Sequence, residues 1–225
     1  MKGIIGKKLG MTRILNEDGT ATPVTVIEAG PCVVTQIKTK DSDGYEAVQL
    51  GFEKMRRKSA TKPRIGHLAK HGLAPRRRLV EFRVDDPGEY QVGQEVTVDV
   101  FEPGDVVDVT GWSKGRGFQG VVRRHGFAVG RRTHGNRNHR KPGSIGQSAT
   151  PARVWKGRKL PGRMGAARTT IKRLDVVQID LEKNLLLVRG AVPGANEGVI
   201  LVKKSNIGKS AKGSVRPSGR MTETE

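Results

Sequence analysis

Sixty-four consecutive residues, 111–174, carry seventeen Lys and Arg side chains and no Asp or Glu. With acids at about a tenth of the chain, such a gap arises by chance on the order of once in a thousand tries. The stretch also holds twelve glycines between Gly111 and Gly165. Few apolar side chains and uncompensated like charge leave it unable to collapse alone, so its ordering calls for a polyanion. Two smaller segments share the pattern: residues 54–79 have ten basic residues, residues 203–220 have six, and neither has an acid. The other 117 residues hold nine basic and all 22 acidic residues, a net of −13. The chain therefore reads as an ordinary acidic body with basic appendages, and the net charge of +20 belongs to the appendages.

The body reads as β. Valines at every second position in residues 95–100, and the alternation of residues 80–84, give strands with one apolar face. Turn signals at 16–19, 41–44 and 181–184 pair further strands into hairpins, 11–15 with 20–29, 31–39 with 45–52, and 171–180 with 185–190. With 105–110 and 198–204 these make about ten short strands. Many short antiparallel strands without a βα alternation predict a closed or nearly closed barrel, which also removes sheet edges. The body comprises 1–53, 79–110 and 169–204. Residues 54–78 form a basic insertion with a short helix over 64–71, started by Pro63 and stopped by Gly72. Residues 111–168 form a long irregular basic finger, whose arms of twenty residues reach at most about 66 Å at ~3.3 Å per residue. The tail, 205–225, has the composition of a disordered segment.

Several activities are disfavoured. Gly115 to Gly120 match G-x-G-x-x-G, but a dinucleotide site needs a parallel βαβ unit and an acid about 20 residues on. The next acid is Asp175. His67 and His71 are spaced for one helix face, and His125, His134 and His139 cluster, yet each set lacks a third ligand and the loop histidines sit among arginines. No metal site, cofactor or enzymatic nucleophile is expected. No apolar run suits a membrane span, Lys7 and Lys8 follow the N-terminus where a signal peptide would be apolar, and the one cysteine, Cys32, fits a reducing cytoplasm.

The basic finger has what RNA recognition requires: arginine forks and lysines for phosphate, glycines for close approach, and Phe127 and Trp155 as stacking surfaces. Trp112 and Phe118, beside the strand ends, are assigned to core packing. The rival readings are a dinucleotide-dependent oxidoreductase and a general DNA-compacting protein. The second rests on charge alone, since no helix-turn-helix, zinc-finger spacing or zipper is present.

MKGIIGKKLGMTRI at 1–14, GHLAKHG at 66–72, GWSKGRGFQGVVRRHGF at 111–127, HRKPGSIGQSATPARVWKGRKLPGRMG at 139–165 and NLLLVRGAVPG at 184–194 closely resemble the bacterial large-subunit ribosomal protein three family. The resemblance runs in register from Met1 to about Lys204. It implies a translation-protein-type β-barrel, mainly β, that acts as a structural constituent of the large subunit. Such a protein binds rRNA early in assembly, lies beside other large-subunit proteins, and sends its finger toward the peptidyl-transferase centre. Structural Mg²⁺ ions would belong to the rRNA. By the charge pattern and this resemblance, the expected rRNA-binding residues are Lys114, Arg116, Arg123, Arg124, His125, Arg131, Arg132, His134, Arg137, His139, Arg140, Lys141, Arg153, Trp155, Lys156, Arg158, Lys159, Arg163 and Arg168. The fingertip is implied at Ser144, Ile145, Gly146, Gln147 and Ser148. Some family members carry a methylated glutamine there, which corresponds to Gln147 and implies a glutamine methyltransferase as a partner.

Overall fold

The computed structural model describes residues 2–205. In chain order its elements are β1 (Gly3–Leu15), β2 (Ala21–Ala29), β3 (Cys32–Lys38), α1 (Lys40–Asp43), β4 (Ala47–Lys54), α2 (Lys62–Ala69), β5 (Arg76–Arg83), β6 (Glu95–Val96), β7 (Val106–Trp112), β8 (Phe118–Gln119), α3 (Val121–His125), β9 (Gly162–Arg163), β10 (Arg168–Asp180), β11 (Leu185–Arg189) and β12 (Val199–Lys204). Six strands close a barrel in the order β1-β12-β7-β10-β11-β2, and every pair is antiparallel.

A barrel is present, but it does not take in all the expected strands. β5-β4-β3-β6 form a separate four-stranded sheet, so this part of the body keeps edges at β5 and β6. The two sheets share one core. Ile4 and Ile5 are adjacent, so their side chains leave opposite faces of β1, yet both are fully buried. β1 has the barrel on one side and the second sheet on the other. A Cβ at Gly3 would lie 2.7 Å from the Phe82 ring of β5, which is how closely the sheets approach. One apolar cluster accordingly runs from Ile27, Val107, Val109, Leu186 and Ile200 in the barrel to Val34, Val48, Leu50 and Phe82 in the second sheet.

The expected strand over 95–100 is two residues long, and Val98–Val100 form a 3₁₀ turn. Val96 and Val98 are nonetheless buried. The alternation reported burial correctly and backbone conformation incorrectly. The turn at 41–44 is a single helical turn, α1, ended by Gly44 at φ 80°. The helix of the basic insertion starts two residues earlier than expected, with Pro63 in its first turn, and ends at Ala69. Gly72 follows at φ 68°, and the Leu73 amide donates back to the Leu68 carbonyl. His71 therefore lies outside the helix and does not share a helical face with His67, which instead hydrogen-bonds Gln49 Oε1 at 3.1 Å. All but one of the residues expected in the basic tail lie outside the described residues.

Candidate nucleic-acid interface

The finger grows from two neighbouring barrel strands. β7 and β10 pair from Val106–Asp175 up to Trp112–Arg168, and the ladder continues past the barrel. Ser113 and Ala167 bond through backbone at 2.9 Å, the Ala166 amide donates to Ser113 O, and Arg116 and Met164 pair at 2.9 Å. β8 and β9 extend it to Gln119 opposite Gly162. This stem requires glycine at two points. Gly165 has φ 77°, and a Cβ there would collide with the Lys114 carbonyl and lie 2.9 Å from Gly115 Cα. Gly162 leaves room for the Arg124 guanidinium, whose Nη1 would come within 2.5 Å of a Cβ.

The G-x-G-x-x-G segment thus lies on an antiparallel stem that leads into a five-residue helix. No parallel βαβ unit surrounds it, so its topology is not that of a dinucleotide site. Among the described residues no group of three or more His, Cys, Asp or Glu could hold a metal ion.

Above the stem the chain has neither helix nor strand from 126 to 161 and is held by side chains bonding to backbone. On α3, Arg124 Nη1 and His125 Nε2 donate to the Leu160 carbonyl at 2.7 and 3.0 Å, closing the finger across its two arms. These two expected rRNA ligands are half-buried and act within the finger. Residues 130–139 form a closed loop. The Gly130 amide donates to His139 O at 2.9 Å, while Asn136 Nδ2 and His139 Nδ1 both donate to Arg131 O at 2.9 and 2.8 Å. Asn136 Oδ1 then accepts from the Asn138 amide. Because ten residues are taken up in this loop, the arms fall short of the about 66 Å limit set by a fully extended chain. Leu160, Asn136 and Asn138 were not singled out from sequence. The Asn-x-Asn spacing among glycines was the available signal, since Asn side chains commonly bond backbone two residues on.

The other expected residues point outward. Lys114 and Arg116 line the stem, and Arg123 lies on α3. Arg131, Arg132, His134, Arg137 and His139 sit in the closed loop, followed by Arg140 and Lys141. Arg153, Trp155, Lys156, Arg158 and Lys159 lie on the returning arm, Arg163 on β9, and Arg168 opens β10. All of these are exposed. None of the Lys and Arg residues in 113–167 takes part in an ion pair among the described residues. Trp155 is 55% exposed, and Arg153 Cζ stacks 5.1 Å from its ring centre. A cleft lined by Asn136, Arg137, Asn138 and Lys141 opens beside the loop.

At the implied fingertip, Ser144 Oγ donates to Gly146 O at 3.0 Å, and Arg158 Nη2 donates to Ser144 O at 2.5 Å across the arms. Ile145, Gln147 and Ser148 are exposed, and Gln147 makes no side-chain hydrogen bond among the described residues. Two aromatic assignments are reversed. Trp112 is 49% exposed and Phe118 75%, because the stem carries both past the barrel's edge.

A sequence profile of the family "Ribosomal protein L3" matches residues 80–184. "Large ribosomal subunit protein uL3" of Geobacillus thermodenitrificans is 56% identical over 204 residues, covering 91% of this chain and 96% of that protein. The chain belongs to the ribosomal protein L3 family. The uL3 protein of Thermotoga maritima is 54% identical over 93% of this chain and its own full length, and that of Alkaliphilus metalliredigens 54% over 90% and 97%. The matches to these relatives cover at least nine-tenths of this L3-family chain, more than the barrel and second sheet alone could supply, so the finger's residues are within what is matched.

Proposed function

We propose that this chain is a structural, non-enzymatic constituent of the large ribosomal subunit that binds rRNA through its finger. The observation that carries the reading is a finger whose Lys and Arg side chains have no acidic partner among the described residues, mounted on a two-sheet body that folds around its own apolar core. Exposed guanidinium and ammonium groups held on a hydrogen-bonded backbone are arranged to neutralise phosphates. Relatives named as large-subunit proteins give the assembly in which those phosphates occur. In bacteria that assembly is cytoplasmic, and no helix of the described residues is long and apolar enough to cross a membrane. DNA compaction rested on charge alone, and membership of this family lends it no support.

The finer reading follows the resemblance. The finger penetrates rRNA toward the peptidyl-transferase centre, with Ser144–Ser148 nearest to it, and the chain takes part early in subunit assembly. Its acidic body faces neighbouring ribosomal proteins. Gln147, exposed and with no side-chain hydrogen bond among the described residues, is accessible to a glutamine methyltransferase. Neither a cofactor nor a protein-bound metal is part of the proposal, since Mg²⁺ in such a site would belong to rRNA. The test is sedimentation of tagged protein from a lysate under conditions that preserve ribosomes. Co-migration with large subunits is expected, and migration elsewhere refutes the reading.

A further inference from the structure

Where the stem leaves the barrel, the surface carries a groove of about 460 Å³ between the barrel and the second sheet. One wall is the exposed indole of Trp112 at the end of β7, and the other is Arg78, Leu79 and Val80 of β5. The floor includes Gly194, Gly198 and Val199. A groove of this size is within the range of small-ligand sites and much larger than one aromatic ring.

The groove is held open by features that barrel closure alone does not require. Lys8 is only 7% exposed, and its Nζ donates to Val192 O at 2.9 Å and Gly194 O at 3.3 Å. Backbone bonds from Lys8 N to Gly198 O and from Glu197 N to Lys8 O tie down the other end of the same loop. Gly194 takes φ 103°, a conformation that L side chains rarely adopt, and its Cβ would lie 3.0 Å from Trp112 O. The loop below the indole is thus bare of side chains at Gly194 and Gly198 and fixed at both ends.

The chemistry of the walls selects the occupant. Arg168 is paired directly across from Trp112, so the two side chains leave the same face of the ladder, and Arg78 lines the opposite wall. Lys114 follows two residues on from Trp112, and the pKa of Lys8 is lowered by burial and, second to that, by the Lys114 charge. The nearby acid Glu197 pairs with Lys7. β5 is an edge strand, so along its outer side backbone N–H and C=O groups have no ladder partner. A flat apolar surface, a strip of backbone donors and acceptors, and cations at both rims fit a planar base on a phosphodiester chain. The two acid-free stretches, 54–79 and 111–174, meet here through Arg78 and Trp112.

We infer that this groove seats an unpaired nucleobase of large-subunit rRNA, stacked on Trp112, with its flanking phosphates on Arg78 and Arg168. The inference rests on the rRNA-binding reading above and adds to it a base site outside the finger's irregular region. The chain has two tryptophans, so Trp155→Phe leaves Trp112 as the only indole. This full-length variant is titrated with a large-subunit rRNA transcript, and binding is read independently by filter retention of labelled RNA.

Quenching of Trp112 emission at the same midpoint as retention is expected, with no quenching by a fully paired RNA duplex that is also retained. In the otherwise native chain, Trp112→Ala lowers affinity about tenfold, and Trp112→Phe restores most of it. Retention without any change in Trp112 emission overturns the base site and leaves the rRNA-binding reading standing. So does quenching by the duplex to the same extent, or an emission that already reports a shielded indole in the free protein and shifts when residues after Ser205 are removed. Failure of the native chain, measured alongside, to retain rRNA at all overturns both.

Discussion

Replacing Arg131, Arg132, Arg137 and Arg140 by Gln removes four of the finger's exposed cations without touching the bonds that close its loop. Those bonds run from the Gly130 amide, Asn136 Nδ2 and His139 Nδ1 to the carbonyls of His139 and Arg131, and none uses a guanidinium. Each neutralised phosphate contributes about 0.7 to 0.9 to the slope of log affinity against log salt, on the single-strand and duplex scales respectively. If each arginine meets one phosphate, the slope of the variant is shallower by about 3 to 4. Between 50 and 200 mM salt the native and variant affinities should then converge by roughly a hundredfold. Filter binding to large-subunit rRNA at five or six salt concentrations measures this, with amide exchange at Gly130 reporting that the loop is still closed. An affinity loss that is the same at every salt concentration, with a slope changed by less than one, would falsify phosphate neutralisation as the role of this loop.

Gln147→Ala should leave single-turnover peptide transfer on assembled subunits within a few-fold of native, because an amide has no pKa near neutrality and cannot act as acid or base. A loss of a thousandfold with normal assembly would point to direct catalysis instead. Gly51→Ala should destabilise the body by roughly 1–3 kcal/mol, since the new methyl would lie 2.8 Å from both Thr35 Cγ2 and the Cγ of buried Arg76. Thermal melting of the isolated protein reads this, and an unchanged midpoint refutes the overpacking argument. Burial pushes the Cys32 thiol up to about 12, so at pH 8 it should resist a thiol reagent until the protein unfolds. Because the folded value lies above the unfolded one, its contribution to stability is complete below about pH 9 and is lost as pH rises toward 12. Labelling of the native protein at the rate of a free thiol contradicts this.

Charge was the most legible property of the sequence. The acid-free run, 111–174, takes in the last two residues of β7, which leaves the barrel at Trp112, and the first seven of β10, which returns at Arg168, because the start of β10 is as basic as the finger. Hairpin turns were legible for the same local reason, since turn residues act within four positions. Partition into two sheets was not legible. β3 and β4 read as one more hairpin like those of the barrel, and what separates them is packing between distant residues, such as Phe82 against the backbone of Gly3. Burial of both Ile4 and Ile5 is the trace of the second sheet, but two adjacent isoleucines also fit an ordinary strand. Trp112 and Phe118 were misplaced because proximity to a strand end does not say whether the ladder stops there or runs on into the stem. Asn136 and Asn138 went unnoticed because their work is done on backbone groups of an irregular segment, where no periodicity marks it.

The stem explains how an irregular finger can be both precise and cationic. Like charges at this density oppose compaction, and each ordered residue costs about 1–2 kcal/mol of backbone entropy. The structure limits that cost at the root. β7 and β10 are held on both sides within a closed barrel, so their exit vectors are set before any RNA is present. Ser113, Arg116 and Gln119 carry the pairing outward to Ala167, Met164 and Gly162. Arg124 and His125 then cap it on Leu160 with two hydrogen bonds that use side chains from one arm and backbone from the other. One arginine of the basic stretch thereby gives one of its donors to holding the two arms in register. Beyond that clamp, cross-links become sparse and local, as in the 130–139 loop and the Arg158–Ser144 contact. Cross-links thin out from root to tip while exposed charge stays high, so the root is a preformed body and the outer segment keeps the freedom to adjust to a polyanion.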